Sequence, residues 1–398
     1  MTHIWRPSVA TASVFLSPGV IVGGNGSALE LSSVLTNHIG LSSGTVLLAV
    51  DDAVNEAGLI KPIEEALSAG GFDVLLRGGF GAEPTDAVVD KIANEARSHD
   101  VAAVIGVGGG SVLDSAKLVA LLLRNKGQCS DWAGIVEPDN GVAPLVLIPT
   151  TCGTGAEATR IAMVTIDGNK RASSCSLYVP RVAVLDPVLV SSLPGKVVAA
   201  TGMDALAHAT EALMSKAASP LSVHHSLRAI ELLISHLEDA SHGDQDALGQ
   251  VLWASHFAGQ ALNAGVVLGH SLAYCLAHAQ PMPHGVSCAM ALPYCIAYNQ
   301  NLDPALAALL ASSLTNGQSE DLQIAAQKVS ELAGRMGLPT KLADAKISDG
   351  DIPSMAELCV TDYQRPTNPE PMTKEAIQGL FDAMSAGDIA AAFAVTAR

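Results

Sequence analysis

Along the first half of the chain, short unbroken apolar runs alternate with stretches in which apolar residues recur every three to four positions. Residues 45–50 form such a run and end at Asp51 and Asp52. A run that is apolar at every position suits a parallel strand, because helices cover both of its faces. Residues 60–69 then have helical spacing, and 72–76 form a second strand candidate. A second helix is predicted over 85–99, with Thr85 as its cap and Asp86 in its first turn. Residues 101–107, 144–148 and 182–185 complete the strand candidates. Strand, helix, strand, helix, strand is the rhythm of a doubly wound sheet. From Pro194 the strands stop and Ala-rich helical patterns take over: 199–216, 220–238, 246–262, 264–278, 306–311, 320–336, 355–360 and 374–385. The predicted organisation is an α/β domain over 1–187 followed by an all-α domain over 188–398, with the cleft between them as the place for an active site.

Two strand ends in the first half carry polar, glycine-rich loops. The strand 101–107 runs into Gly108, Gly109, Gly110 and Ser111, and a helix follows at once. Such a turn lets backbone approach a ligand, and the helix start offers free N–H groups to an anion such as a pyrophosphate. The spacing is neither that of G-x-G-x-x-G nor that of a P-loop, and a strand-to-helix turn without a ligand has the same appearance. The strand 144–148 runs into a loop with Thr150, Thr151, Thr154 and Thr159. In an open α/β sheet, ligands sit at the carboxyl ends of strands, so two such loops point to one nucleotide site. Asp51, also at a strand end, is placed either to accept from a ribose hydroxyl or to cap a helix. As a ribose ligand its charge would repel a 2′-phosphate, which favours NAD.

The second half supplies metal-type donors. Asp204 and His208 are four residues apart in an Ala/Leu-rich segment, so a helix stacks them on one face. His270, Tyr274 and His278 recur every four residues on a later helix, which Pro281 and Pro283 end, leaving His284 in a turn or at a helix start. One oxygen and three nitrogen donors suit Fe(II) or Zn(II) better than Mg or Ca.

Composition narrows the class. Of 398 residues, 49% are hydrophobic and 15% charged, and the net charge is −17, which argues against nucleic acid or an anionic membrane as partner. Seven scattered cysteines without a C-x-x-C pair read as reduced cytoplasmic thiols. Residues 1–7 lack a signal-peptide pattern. The most membrane-like window, 258–279, carries Asn263, His270 and His278 and reads as a buried helix.

These motifs resemble the iron-containing (group III) alcohol dehydrogenases over nearly the whole chain. Gly108–Ser111 with Asp114 and Lys117 is similar to the family's GGGSxxDxAK, and the loop from Pro149 to Glu157 to its PTTAGTGSE. Gly202 to His208 resembles GMDALxH, His270 with Pro283, His284 and Gly285 matches H-x13-H-G, and the stretch from Thr367 to Thr373 is also familial. The resemblance implies an N-terminal Rossmann-like domain and an all-α C-terminal domain, the fold shared with dehydroquinate synthase. It implies a divalent metal, Fe(2+) or Zn(2+), on Asp204, His208, His270 and His284, and NAD on the glycine turn, the threonine loop, Asp51 and Lys170. It implies reversible hydride transfer between an alcohol and an aldehyde or ketone, in a homodimer.

Three departures stand out. Tyr274 occupies the place of the family's second histidine of HxxxH, so the proton path passes to Tyr274, His278 or water; the segment 258–265 is one residue short; and Ile161 replaces a pocket residue that is polar in some members. Rival readings are a metal-free maleylacetate reductase, which usually has Asn at position 204, a dehydroquinate synthase-like lyase, whose ligand set begins with Glu, and a catalytically silent scaffold. Without a basic cluster near the ligands the expected substrate is neutral, with Arg365 the exception if its loop folds over the site.

Overall fold

The computed structural model describes residues 13–396; the N-terminal stretch 1–7 read above lies outside the described residues. The chain forms two compact units, Leu16–Ser192 and the segment from Leu193 on, the latter joined by Phe15.

The first unit contains nine strands: β1 (Val20–Gly23), β2 (Gly44–Val50), β3 (Phe72–Arg77), β4 (Ala103–Gly108), β5 (Gly134–Ile135), β6 (Leu145–Pro149), β7 (Ile161–Ile166), β8 (Asn169–Ser174) and β9 (Val182–Leu185). Its helices are α1 (Leu31–Val34), α2 (Asp52–Glu56), α3 (Lys61–Ala69), α4 (Asp86–Ser98) and α5 (Gly110–Arg124). Six strands pair in parallel in the order β1-β9-β6-β4-β2-β3. The apolar runs are explained by burial on both faces. Leu47, Ala49, Val104 and Leu147 pack with residues of α4 and α5, whereas their neighbours Val46, Leu48, Ile105 and Ile148 pack on the other side with residues of α1 and α3.

The strand order also locates a ligand site. From β2 the chain moves outward to β3 and then returns to place β4 on the other side of β2. The order therefore reverses between β2 and β4, and crevices for ligands form at such switch points. Asp51 follows β2 and the glycine turn follows β4, with the Asp51 N–H donating to the Val107 carbonyl at 3.0 Å.

The hairpin β7–β8 is absent from the apolar pattern. β8 is polar and largely exposed, so hydrophobicity gives it no signal. Its turn does have one: Asp167 (φ 49°) and Gly168 (φ 74°) are the Asp-Gly pair of a tight hairpin.

The second unit is helical: α6 (Gly195–Met214), α7 (Pro220–Ser241), α8 (Gln245–Leu262), α9 (Leu268–Ala279), α10 (His284–Tyr298), α11 (Pro304–Leu314), α12 (Leu322–Arg335), α13 (Ile352–Thr361), α14 (Lys374–Ala386) and α15 (Ile389–Phe393). α6 is buried along most of its length and packs against α7, α8 and α10. The window 258–279 holds the end of one helix and the start of the next, as the separate patterns 246–262 and 264–278 predict. α8 stops at Leu262, Gly265 takes φ 87°, and α9 begins only at Leu268. Among the described residues no helix is long and apolar enough to cross a membrane.

On α7, His225 stacks on Phe15 at 5.0 Å and lies against Phe257. Burial, reinforced by His224 and His256, pushes its pKa down to about 4. The unfolded imidazole therefore takes a proton between pH 6.5 and 4 while the folded one does not. This contribution to stability is complete above pH 6.5 and is lost as the pH falls toward 4. In urea titrations of wild type and His225→Phe at pH 7 and pH 5, the variant's midpoint is expected to fall less. Equal falls would contradict this account.

Candidate metal centre and nucleotide loop

Asp204 and His208 stand one turn apart on α6, both buried. α9 brings His270, and α10 begins with His284 itself. The glycine after it is a steric necessity: a Cβ on Gly285 would lie 2.0 Å from the Ala200 carbonyl oxygen, so only glycine lets this helix start rest on α6.

The four side chains converge on one atom. Asp204 Oδ1 has the Nε2 atoms of His208, His284 and His270 at 3.6, 3.7 and 3.8 Å. These distances exceed hydrogen-bond length, and Asp204 Oδ1 is buried without a hydrogen-bond partner. Donors bound to one cation by bonds of about 2.0–2.2 Å lie roughly 3.3–3.6 Å apart in a tetrahedron, close to the spacing here. A buried anionic oxygen facing three imidazole nitrogens fits a divalent metal. Burial alone would raise the Asp204 pKa, but the charges of His208, His284 and His270 outweigh it and hold the carboxyl below its ordinary value.

Two residues at this centre carry no motif signal above. Glu211, on α6, is fully buried; its Oε1 lies 2.6 Å from His270 Nδ1, and its Oε2 accepts from the N–H groups of Val267 and His270. The carboxylate fixes the proton on Nδ1 and leaves the Nε2 lone pair facing Asp204. Burial pulls the His270 pKa down, but the charge and hydrogen bond of Glu211 carry it above its ordinary value. The sequence signal was present: Glu211 lies seven residues after Asp204, two turns along the same face. Cys288, one turn after His284, places its Sγ 3.5 Å from His284 Nε2 and 4.0 Å from His270 Nε2, so a soft donor adjoins the cluster. Glu211→Gln is expected to weaken metal affinity about 10–100-fold, the usual cost of losing such a carboxylate partner, read by competition with a chelating dye. Unchanged affinity would remove Glu211 from the account.

Tyr274 lies against the same histidines. Its ring stacks on His284 (5.4 Å, 17°) and meets the edge of His270 at 6.2 Å. Burial pushes its pKa up to about 12 against the pull of Arg365, so the phenol stays protonated at neutral pH. His278, expected on the same face, is exposed near the end of α9 and does not join the cluster. The late loop does fold over these rings: the Arg365 guanidinium lies 5.6 Å above Tyr274.

In the first unit the two polar loops meet. Thr150 donates its N–H to the Gly108 carbonyl at 3.0 Å. A Cβ on Gly110 would lie 2.8 Å from the Thr154 methyl, and one on Gly109 would lie 3.3 Å from that of Thr151. Gly109 caps α5 without a side-chain hydrogen bond, so the first N–H groups of a 15-residue helix open beside Ser111. Asp51 caps α2: its Oδ1 accepts from Ala53 and Val54 N–H, and its other oxygen takes no part in the cap. Asp114 and Thr159 face inward, because both bond the buried ammonium of Lys117. Lys170 is on the exposed strand β8, 3.7 Å from Glu83. Ile161 is in β7, where its carbonyl accepts from Lys117.

A parallel sheet with a nucleotide-type loop at its switch point, and a helical unit gathering one carboxylate and three imidazoles, define the class of dehydrogenases that use a nicotinamide and a metal. Comparison with known proteins makes this specific. The profile described as iron-containing alcohol dehydrogenase matches residues 18–187, and that of the family's C-terminal region matches 198–385. The 1,3-propanediol dehydrogenase of Citrobacter freundii is 31% identical over 88% of this chain and 94% of its own. The NAD-dependent methanol dehydrogenase of Bacillus methanolicus is 27% identical over 91% and 97%. The crystal structure of a 1,3-propanediol oxidoreductase superposes with a TM-score of 0.86 at 28% identity, covering 94% of this chain and all of the other. The chain belongs to the iron-containing alcohol dehydrogenase family.

Proposed function

We propose that the protein is an NAD-dependent, metal-containing alcohol dehydrogenase that interconverts an alcohol and an aldehyde or ketone. The observation that carries this reading is the buried, unpartnered Asp204 Oδ1 with three imidazole nitrogens 3.6–3.8 Å away. Asp204, His208, His270 and His284 would hold the metal, Fe(2+) by family, with Zn(2+) accepted by the same donors. When bound, the metal supplies a Lewis acid for the substrate oxygen, and the nicotinamide gives or takes the hydride.

The chain's own groups position these parts. Glu211 orients His270 through the 2.6 Å contact. Tyr274, protonated at neutral pH, holds a proton where the family's second histidine would stand. Gly109, Gly110 and Ser111 present N–H groups to a pyrophosphate, and Thr151 and Thr154 wall the turn. The spare oxygen of Asp51 suits a ribose hydroxyl and disfavours a 2′-phosphate, hence NAD. Asp114 and Thr159 act from behind, through Lys117, and exposed Lys170 contacts the cofactor from β8. A cytoplasmic homodimer accords with seven cysteines, none in a disulfide, and with the family.

Elemental analysis of protein purified anaerobically without chelator, alongside NADH oxidation by aldehydes, tests the reading. About one iron or zinc per chain is expected, with turnover lost on chelation and restored by metal. Turnover of NADH by metal-free protein would overturn it.

A further inference from the structure

Among the described residues Arg365 is a cation without a carboxylate partner. The surface arginines Arg77, Arg228 and Arg335 each pair with a glutamate. In a chain with 39 acidic and 22 basic residues, acidic partners are abundant. Yet among the described residues no carboxylate pairs with Arg365, and its Nε is buried without a hydrogen-bond partner. The nearby Glu370 is turned to Asn301 instead. The contact that the guanidinium does make is with the face of Tyr274, whose ring lies on His284. A half-buried charge left this way is costly unless something else satisfies it.

The loop that carries Arg365 is pinned on both sides. Ser271 Oγ donates to the Tyr363 carbonyl at 2.5 Å and Thr367 Oγ1 to the Val266 carbonyl at 2.6 Å. The Asn368 side-chain oxygen accepts from Leu268 N–H and Asn299 Nδ2, both at 3.0 Å. Val266, Leu268 and Ser271 belong to the start of α9 and the turn before it, the segment that delivers His270. The guanidinium is thus held beside the metal centre in advance of any ligand, which lowers the ordering cost of binding. The charges point the same way: Asp204 and Glu211 together balance one divalent cation, and the guanidinium is left over.

Resting on the dehydrogenase reading above, we propose that Arg365 anchors an anionic group of the substrate. The substrate is then an aldehyde, and its partner an alcohol, that also bears a carboxylate or a sulfonate. Both anions match the fork of a guanidinium.

The test uses metal-loaded full-length protein with NADH and aldehydes matched in chain length, ending in a carboxylate, a sulfonate or the neutral methyl ester. Wild type is expected to favour an anionic member over the ester about 10–100-fold in kcat/KM, the worth of one charged hydrogen-bonded contact. The member with the higher ratio identifies the anion. Arg365→Met is expected to bring the ratio near one by raising KM for the anion, and Arg365→Lys to retain part of it. A wild-type ratio near one overturns the inference while leaving the dehydrogenase intact. So does a preference that survives in Arg365→Met. Failure to turn over any aldehyde overturns the dehydrogenase reading, and the inference falls with it. The wild-type ratio stands even if a variant fails to fold.

Discussion

Asp204→Ala is expected to bind no metal and to lose turnover by roughly 10³-fold or more, since a Lewis acid supplies several kcal/mol to such a reaction. Asp204 is the one carboxylate among the four converging donors, and its Oδ1 is the atom from which the three imidazole distances are measured. Without it the site keeps three imidazoles, and only Glu211, behind His270, is left to balance a dication. In the metal-free protein Asp204 Oδ1 is buried without a hydrogen bond, but the charges of the three histidines favour its ionised form. Relief of desolvation and loss of that attraction oppose each other, so metal-free Asp204→Ala is expected to melt near metal-free wild type, whereas metal raises the melting temperature of wild type alone. His270→Ala also removes a donor but strands Glu211 in the core, so it loses stability as well as metal. Calorimetry with and without added Fe(II) or Zn(II) separates the two. Metal-dependent stabilisation of Asp204→Ala would remove the residue from the ligand set.

Much of the fold was legible because its strands are buried on both faces. Residues 45–50 are apolar at every position for the reason seen in the structure, a helix layer on each side. The convergence of the four candidate donors was legible in part because helical spacing fixes Asp204 against His208 and because Pro283 and Gly285 bracket His284. What escaped depends on tertiary contact. β8 has no apolar face. The break between α8 and α9 was in the pattern, but not its sealing by Glu211, which takes the Val267 and His270 N–H groups. Arg365 acquires meaning only when the hydrogen bonds of Tyr363, Thr367 and Asn368 place its loop over Tyr274. Asp114 and Thr159 show the converse: a familial motif marks the first and the threonine loop the second, but their side chains work within the core.

That inner network sets the second large effect. Lys117→Ala is expected to destabilise the protein by about 3–5 kcal/mol, the usual result of removing one partner from a buried ion pair. Lys117 is fully buried, and its ammonium donates to Asp114 Oδ1 at 3.1 Å, Thr159 Oγ1 at 3.1 Å and the Ile161 carbonyl at 2.6 Å. Asp114 Oδ2 in turn accepts from Met163 N–H at 2.9 Å. Burial pushes the lysine down and the aspartate up, and each partner's charge opposes the shift in the other. The pair ties α5, which begins at the glycine turn, to β7, which follows the threonine loop. Alanine leaves a buried carboxylate without its cation and two oxygens without their donor, and it frees one loop to move against the other. Lower stability should therefore come with weaker NAD binding, although Lys117 is buried among its own partners. The pair Asp114→Leu with Lys117→Met is expected to recover much of the stability, because no charge is then stranded, but less of the NAD affinity, because the Met163 N–H loses its acceptor. Urea denaturation and NADH fluorescence titration on the single and double variants decide it. A Lys117→Ala protein as stable as wild type would mean that the ammonium is not the tie between the two loops.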